Sequence, residues 1–208
     1  VLRAVAIPDE PPPLDALARL LPEERAFAAS LAPPRLATWV AGRLALSAAL
    51  ADLGAPGAPL LSTPRGAPAP PPGFVGSLSH KPRIAVALAS PATGAHVGVD
   101  VEMARPGRVD ISQRILVDAE RAEVAAEPLE TRWRAVLARF SIKESIYKAL
   151  DPFVQRYVGF KEAEVALGPP VRVRLVLAGG EGPFEVEATW CEVAGLLVSA
   201  ARVRPAHP

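Results

Sequence analysis

The stretch APGAPLLSTPRGAPAPPPGF, residues 55–74, constrains this chain more than any other. Proline lacks an N–H donor and holds φ near −65°, so neither a helix interior nor a central strand runs through such a segment. It reads as a long, partly polyproline-like loop over the surface. Regular structure must therefore lie on either side of it. With 24 Pro and 15 Gly in 208 residues, half of them hydrophobic, the chain stays below the composition of a disordered protein. It is long enough for one sizeable core or for two of about 100 residues each.

Periodicity supplies the elements. Residues 35–53, RLATWVAGRLALSAALADL, predict a helix ended by Gly54. RIAVALAS (83–90) and HVGVDVE (96–102), apolar runs around PATG, predict a hairpin. Residues 110–126 and 130–150 repeat with helical period. VRVRLVL (171–177), FEVEATWCEV (184–193) and GLLVSAARV (195–203) predict three antiparallel strands joined by Gly-rich turns. Helix then hairpin, followed by helices then a meander, describes an α+β chain of two comparable halves rather than βαβ units. The halves meet near residues 103–110, giving domains of 1–104 and 105–208.

A net charge of +1 without a basic run offers no nucleic-acid or membrane-surface footprint. One cysteine, Cys191, excludes a disulfide framework and a cysteine-rich metal site. No apolar run approaches about 18 residues, and the first thirty residues lack a signal-peptide pattern. The expectation is a soluble, cytoplasmic protein.

Three constellations carry charge where a plain core would not. In ARFSIKESIYKAL (138–150), Trp133, Leu137, Phe140, Glu144 and Tyr147 fall within one arc of about 80° at 100° per residue. Glu144 thus shares a face with aromatics, bordered by Lys148. It is either half of an i,i+4 pair on a solvated face or a desolvated carboxylate that needs a cation. In HVGVDVE, Val97, Val99 and Val101 point to one side of a strand while Asp100 and Glu102 share the other. Their backbones lie roughly 6.5–7 Å apart, so the pair is either a solvated edge or a grip on one hard cation such as Mg²⁺. On the first helix, Arg35 and Arg43 lie on the same side as Trp39, Leu46, Leu50 and Leu53. They either snorkel to solvent or clamp a phosphate, with Arg65 and the GSLSHK turn (76–81), including Ser79 and His80, completing the pocket. His80 could equally be a cap.

GVDVE (98–102) followed about forty residues later by FSIKESIYK (140–148) resembles the signature pair of the 4′-phosphopantetheinyl transferases. The resemblance is to the monomeric, two-half type that activates peptide and polyketide synthases. It extends to AGRLALSAALADLG (41–54), the 63–80 loop and YVGFKEAEV (157–165), and so covers most of residues 35–165. Phe140 stands where Trp is frequent in the family, and Arg65 where Lys is frequent. The resemblance implies a pseudo-twofold α+β fold, each half a small antiparallel sheet packed with a long helix, with the active site between the halves. It implies transfer of 4′-phosphopantetheine from coenzyme A to a serine of acyl or peptidyl carrier domains of fatty acid, polyketide or nonribosomal peptide synthases, releasing 3′,5′-ADP. Asp100, Glu102 and Glu144 would surround Mg²⁺, with Mn²⁺ as the alternative, on the coenzyme A diphosphate. Lys143 would contact phosphate, and Lys148 would neutralise or protonate the leaving phosphate. Arg35, Arg43, Arg65, Ser79 and His80 would hold the 3′-phosphate and its neighbourhood. Glu144, Glu120 or a water would take the serine proton. Part of the apolar set Ile111, Ile115, Leu116 and Val124, beside Arg114 and Arg121, is expected to stay exposed and dock the carrier. Two other readings stay open: a Mg²⁺-dependent nucleotide-diphosphate hydrolase, and an inactive module that binds coenzyme A or carrier.

Overall fold

The computed structural model describes residues 1–7, 11–107 and 109–206. The chain divides into two compact units, Val1–Thr93 and Gly94–Pro208.

The first unit runs β1 (Leu2–Ala6), α1 (Leu14–Ala18), α2 (Pro22–Ala28), α3 (Pro33–Ala51), β2 (Phe74–Lys81) and β3 (Ile84–Pro91). Helix α3 is the expected 35–53 helix, begun two residues earlier by a Pro pair whose missing N–H groups cost nothing in a first turn. Its Ala45, Leu46, Ala49 and Leu50 pack on Ala87 and Ala89 of β3. The sheet is antiparallel in the order β1-β3-β2. GSLSHK is not the turn expected from sequence. It belongs to strand β2, paired with β3 from Phe74↔Pro91 to Lys81↔Ile84, and Pro82-Arg83 make the turn. Gly, Ser and Lys have weak strand propensity, which hides the strand until β3 supplies its ladder.

The second unit runs β4 (His96–Met103), α4 (Ser112–Ile115), α5 (Asp118–Ala126), α6 (Arg132–Val154), a 3₁₀ turn (Phe160–Glu162), β5 (Ala163–Ala166), β6 (Arg172–Leu175), β7 (Phe184–Val193) and β8 (Leu196–Pro205). Its main sheet is antiparallel in the order β4-β8-β7, and β5 pairs with β6. Three expectations are corrected here. Strands β3 and β4 do not form a hairpin but belong to different sheets. The first strand of the expected meander, β6, pairs with β5 rather than β7, and β4 completes the sheet on the far side of β8. The 110–126 helix is interrupted, because Leu116 and Val117 are extended and Glu120 Oε2 accepts the Val117 N–H at 2.9 Å to start α5 afresh. Because β4 pairs with β8 along its whole length, Asp100 and Glu102 lie in the second unit, whereas a boundary at 104/105 would put them in the first half.

Each unit is thus a three-stranded antiparallel sheet carrying one long helix, an α+β architecture. In the second, Ile142, Ile146, Ala149 and Leu150 of α6 meet Ala201 and Val203 of β8. Among the described residues no helix is long and apolar enough to cross a membrane.

Helix α6 has two stripes. Ala138, Ser141, Ile142, Ser145, Ile146, Ala149 and Leu150 are buried, whereas Trp133, Leu137, Phe140, Glu144 and Tyr147 are only half-buried. Small residues dominate the sheet-facing stripe, and so the helix comes very close to β4. A Cβ placed on Gly98 would lie 1.8 Å from the Ser145 carbonyl oxygen and 3.0 Å from the Ala149 nitrogen. Backbone faces backbone there, with no flexible side chain to yield. Gly98→Ala should therefore cost about 3 kcal/mol or more of folding stability, read as a lower urea midpoint with unchanged m-value.

Candidate active site

The close contact at Gly98 fixes which side chains of β4 meet α6. Side chains alternate along a strand, so Gly98, Asp100 and Glu102 all point toward α6. Asp100 is only 5 % exposed. Its Oδ2 accepts from Ser141 Oγ at 2.9 Å, and its Oδ1 accepts from Lys148 Nζ at 3.0 Å. Ser141 Oγ also lies 2.8 Å from Ser199 Oγ on β8, so a neighbouring strand buttresses the hydroxyl. Lys148 donates further to the Val99 carbonyl at 2.8 Å and keeps 25 % of its side chain exposed. An ammonium has three N–H groups, so one remains for a ligand.

Glu144 stands three residues after Ser141 and four before Lys148, on adjoining turns of α6. It therefore shares the helix surface of the two residues that bracket Asp100. Glu102 is half-buried, one strand repeat beyond Asp100. The structure thus gathers Asp100, Glu102, Glu144 and Lys148 onto one facing pair of elements. Among the described residues, however, no three His, Cys, Asp or Glu side chains close into a ready-made metal cage. This donor chemistry fits Mg²⁺, which binds through a few carboxylates and completes its shell with water and phosphate oxygens.

Glu120 and Lys143 occupy a different place from the one expected. Glu120 is 1 % exposed and Lys143 3 %. Lys143 Nζ donates to Glu120 Oε2 at 2.7 Å and to the Ile115 carbonyl at 2.8 Å. Glu120 Oε1 accepts from the Val165 N–H at 2.7 Å, while Oε2 also holds Val117. The pair ties α6, α4, the start of α5 and β5 together. Burial pushes the Lys143 ammonium below its usual range, against the pull of Glu120. The proton-acceptor role for Glu120 is corrected accordingly. Its oxygens are sealed from solvent and filled by three donors, so a substrate hydroxyl has no approach to them.

In the first unit, Arg43 is 5 % exposed on α3, and its Nη2 donates to Ser62 Oγ at 2.9 Å. Its Cζ sits 4.6 Å from the centroid of the Trp39 ring. Burial pushes the guanidinium down to about 10, partly offset by the charge of Glu24. Among the described residues, the buried Nε of Arg43 and Trp39 Nε1 have no hydrogen-bond partner. An under-satisfied buried cation suits an anion. Arg35 is exposed in the first turn of α3, and Arg65 is exposed in the proline loop. Ser79 and His80 sit on β2 opposite Val86 and Ala85.

Of the expected docking set, Ile115, Leu116 and Val124 are buried together with the flanks of Phe140 and Phe160, while Ile111 stays half-buried beside them. What the surface offers there is a hollow of about 630 Å³, lined by Ile111, Leu116, Val124, Trp133 and Leu137 with Arg105 and Arg121. Sequence reasoning missed Ser141 and Ser199 as the hydroxyls that hold Asp100. Ser141 lies inside the FSIKES motif, whereas Ser199 had only its polarity in an apolar strand to mark it.

Two family models match the chain. Residues 23–90 match the 4′-phosphopantetheinyl transferase N-terminal domain, and residues 96–198 match the 4′-phosphopantetheinyl transferase superfamily. The chain is 35 % identical to the 4′-phosphopantetheinyl transferase Svp of Streptomyces mobaraensis, over 92 % of this chain and 81 % of that protein. It is 33 % identical to the 4′-phosphopantetheinyl transferase PptT of Mycobacterium tuberculosis, over 70 % of this chain and 64 % of that one. Among solved structures, a Bacillus anthracis holo-(acyl-carrier-protein) synthase in complex with CoA is similar at TM-score 0.43 and 19 % identity, covering 53 % of this chain and 96 % of that one.

Removing Glu120 alone would leave the Lys143 ammonium buried without its counter-charge. Glu120→Ala should destabilise the fold by about 3–5 kcal/mol. The double variant Glu120→Leu with Lys143→Met should recover most of that in a denaturant titration.

Proposed function

The chain belongs to the 4′-phosphopantetheinyl transferase superfamily, and from that premise we propose that it moves phosphopantetheine from coenzyme A to a carrier-domain serine with Mg²⁺, releasing 3′,5′-ADP. The observation that carries the reading at residue level is the Asp100–Lys148 pair, a carboxylate and an ammonium on adjoining elements beside Glu102 and Glu144. Asp100, Glu102 and Glu144 would hold the cation, or Mn²⁺ in its stead. Bound there, the ion supplies charge neutralisation at the diphosphate and lowers the pKa of oxygens it touches.

The chain's own residues do the rest. Lys148 is held by Asp100 and Val99, and it presents its remaining N–H to the phosphate oxygen that gains charge as the phosphoanhydride bond breaks. Phosphoryl transfer needs alignment and charge stabilisation more than covalent help. Glu144, besides its place at the cation, is the carboxylate that would accept the serine proton, directly or through a water it holds. Arg43 offers its guanidinium to the nucleotide's 3′-phosphate, with Arg35, Arg65, Ser79 and His80 as further donors to it. Lys143 acts on phosphate only indirectly, by fixing the α6 turn that carries Glu144. The hollow beside α5 takes an apolar carrier side chain, and exposed Arg105 and Arg114 face the carrier's acidic residues. The partners are acyl or peptidyl carrier domains of fatty acid, polyketide or nonribosomal peptide synthases, and the protein acts as a cytoplasmic monomer.

Mass spectrometry of an apo-carrier incubated with the protein, coenzyme A and Mg²⁺ tests the reading. A phosphopantetheine adduct on the carrier is expected. Nucleotide release without an adduct would mean a hydrolase, and binding without turnover a non-catalytic module. Asp100→Asn should lower kcat/KM by about 10³-fold, and Lys148→Ala should lower kcat by about 10²-fold with little change in coenzyme A affinity. Arg105→Glu and Arg114→Glu should raise KM for the carrier about tenfold while leaving that for coenzyme A unchanged. Equal effects on both substrates would rule out the docking assignment.

A further inference from the structure

After α6, the chain turns through Gln155, whose φ of 51° ends the helix in the left-handed region. The next residue, Arg156, uses all five of its N–H donors. Nε donates to Glu181 Oε1 at 2.6 Å and Nη2 to Glu181 Oε2 at 3.0 Å. Nη2 also donates to Glu162 Oε2 at 2.7 Å, and Nη1 to Glu162 Oε1 at 3.1 Å and to the Tyr157 carbonyl at 2.8 Å. Glu162 in turn accepts the Gly159 and Ala178 N–H groups, each at 2.7 Å. The guanidinium beside it holds the Glu162 carboxyl down at about 2, so the cluster stays charged at neutral pH.

No member of this cluster is buried, so the core does not depend on it. What it fixes is the backbone of residues 157–160. Tyr157, Val158, Gly159 and Phe160 form one wall of a narrow slot of about 40 Å³ whose other wall is Lys143, Glu144, Ile146 and Tyr147 of α6. Tyr157 is 65 % exposed, with its ring 6.1 Å from the Tyr147 ring across the slot. Its carbonyl is gripped by Arg156. The slot is mainly aromatic and aliphatic, a lining suited to an uncharged chain adjoining the phosphate rather than to the phosphate itself.

We propose that Arg156, Glu162 and Glu181 are positioning residues that hold the 157–160 wall against Glu144, and so set the grip on the uncharged arm of coenzyme A. This rests on the transferase reading above. A wall displaced by an ångström loosens the arm without touching the nucleotide end.

Calorimetry on wild type, Arg156→Gln and Glu181→Gln with coenzyme A and with 3′,5′-ADP, which lacks the arm, tests this. Both variants should bind coenzyme A about tenfold more weakly and 3′,5′-ADP as wild type does. KM for coenzyme A should rise about tenfold with kcat within twofold. Arg156→Lys keeps the charge but brings three donors in place of five, too few for two bidentate carboxylates and the Tyr157 carbonyl, and should behave like Arg156→Gln. Equal weakening of both ligands, no weakening of either, or full rescue by lysine would overturn the positioning role. A wild-type protein that binds neither ligand would overturn the transferase reading with it, whereas wild-type binding with unaltered variants overturns the positioning alone.

Discussion

The second unit depends on how closely β4 can approach α6. Gly98 lets the strand lie against the Ser145 carbonyl, and the small residues of the helix's inner stripe leave room for it. That contact brings Asp100 within hydrogen-bonding distance of Ser141 and Lys148. A buried carboxylate is costly unless it is paired and hydrogen-bonded. Here a serine on one oxygen and an ammonium on the other meet that cost. Wider spacing would admit water and let both charges relax away from each other, and the site would lose its alignment.

Two lysines of α6 pair with carboxylates on other elements, and their surroundings separate their roles. Lys143 and Glu120 are sealed, and their remaining bonds go to backbone groups of neighbouring segments. That is an anchor, since a charge pair without solvent access has no proton or ligand to exchange. Lys148 and Asp100 sit at the margin, with part of the lysine exposed. Residues five apart on one helix thus differ in role because one points into the layer between α6 and β5 while the other points along the open edge of β4.

Much of this was legible from sequence. The GVDVE and FSIKESIYK motifs located the acidic residues and Lys148, and strand alternation put Asp100 and Glu102 on one face without any tertiary knowledge. Helical period was less informative for α6. Trp133, Phe140, Glu144 and Tyr147 do share a face, but it is the half-exposed one. The buried stripe carries Ala and Ser, which hydrophobicity undervalues. Ser199 and the Arg156 cluster could not be found by pattern, since their partners lie 58, 25 and 6 residues away in the chain.

By itself the sequence determined the α+β class, the two long helices, the proline-loop interruption and the identity of the charged groups, because those arise from local periodicity, proline geometry and residue chemistry. Tertiary structure alone decided which strands pair, where the chain divides, and which charges face solvent. Those outcomes depend on contacts between segments far apart in the chain. A glutamate carries the same carboxylate at 120 as at 144; only the packing around it makes one a strut and the other a candidate base.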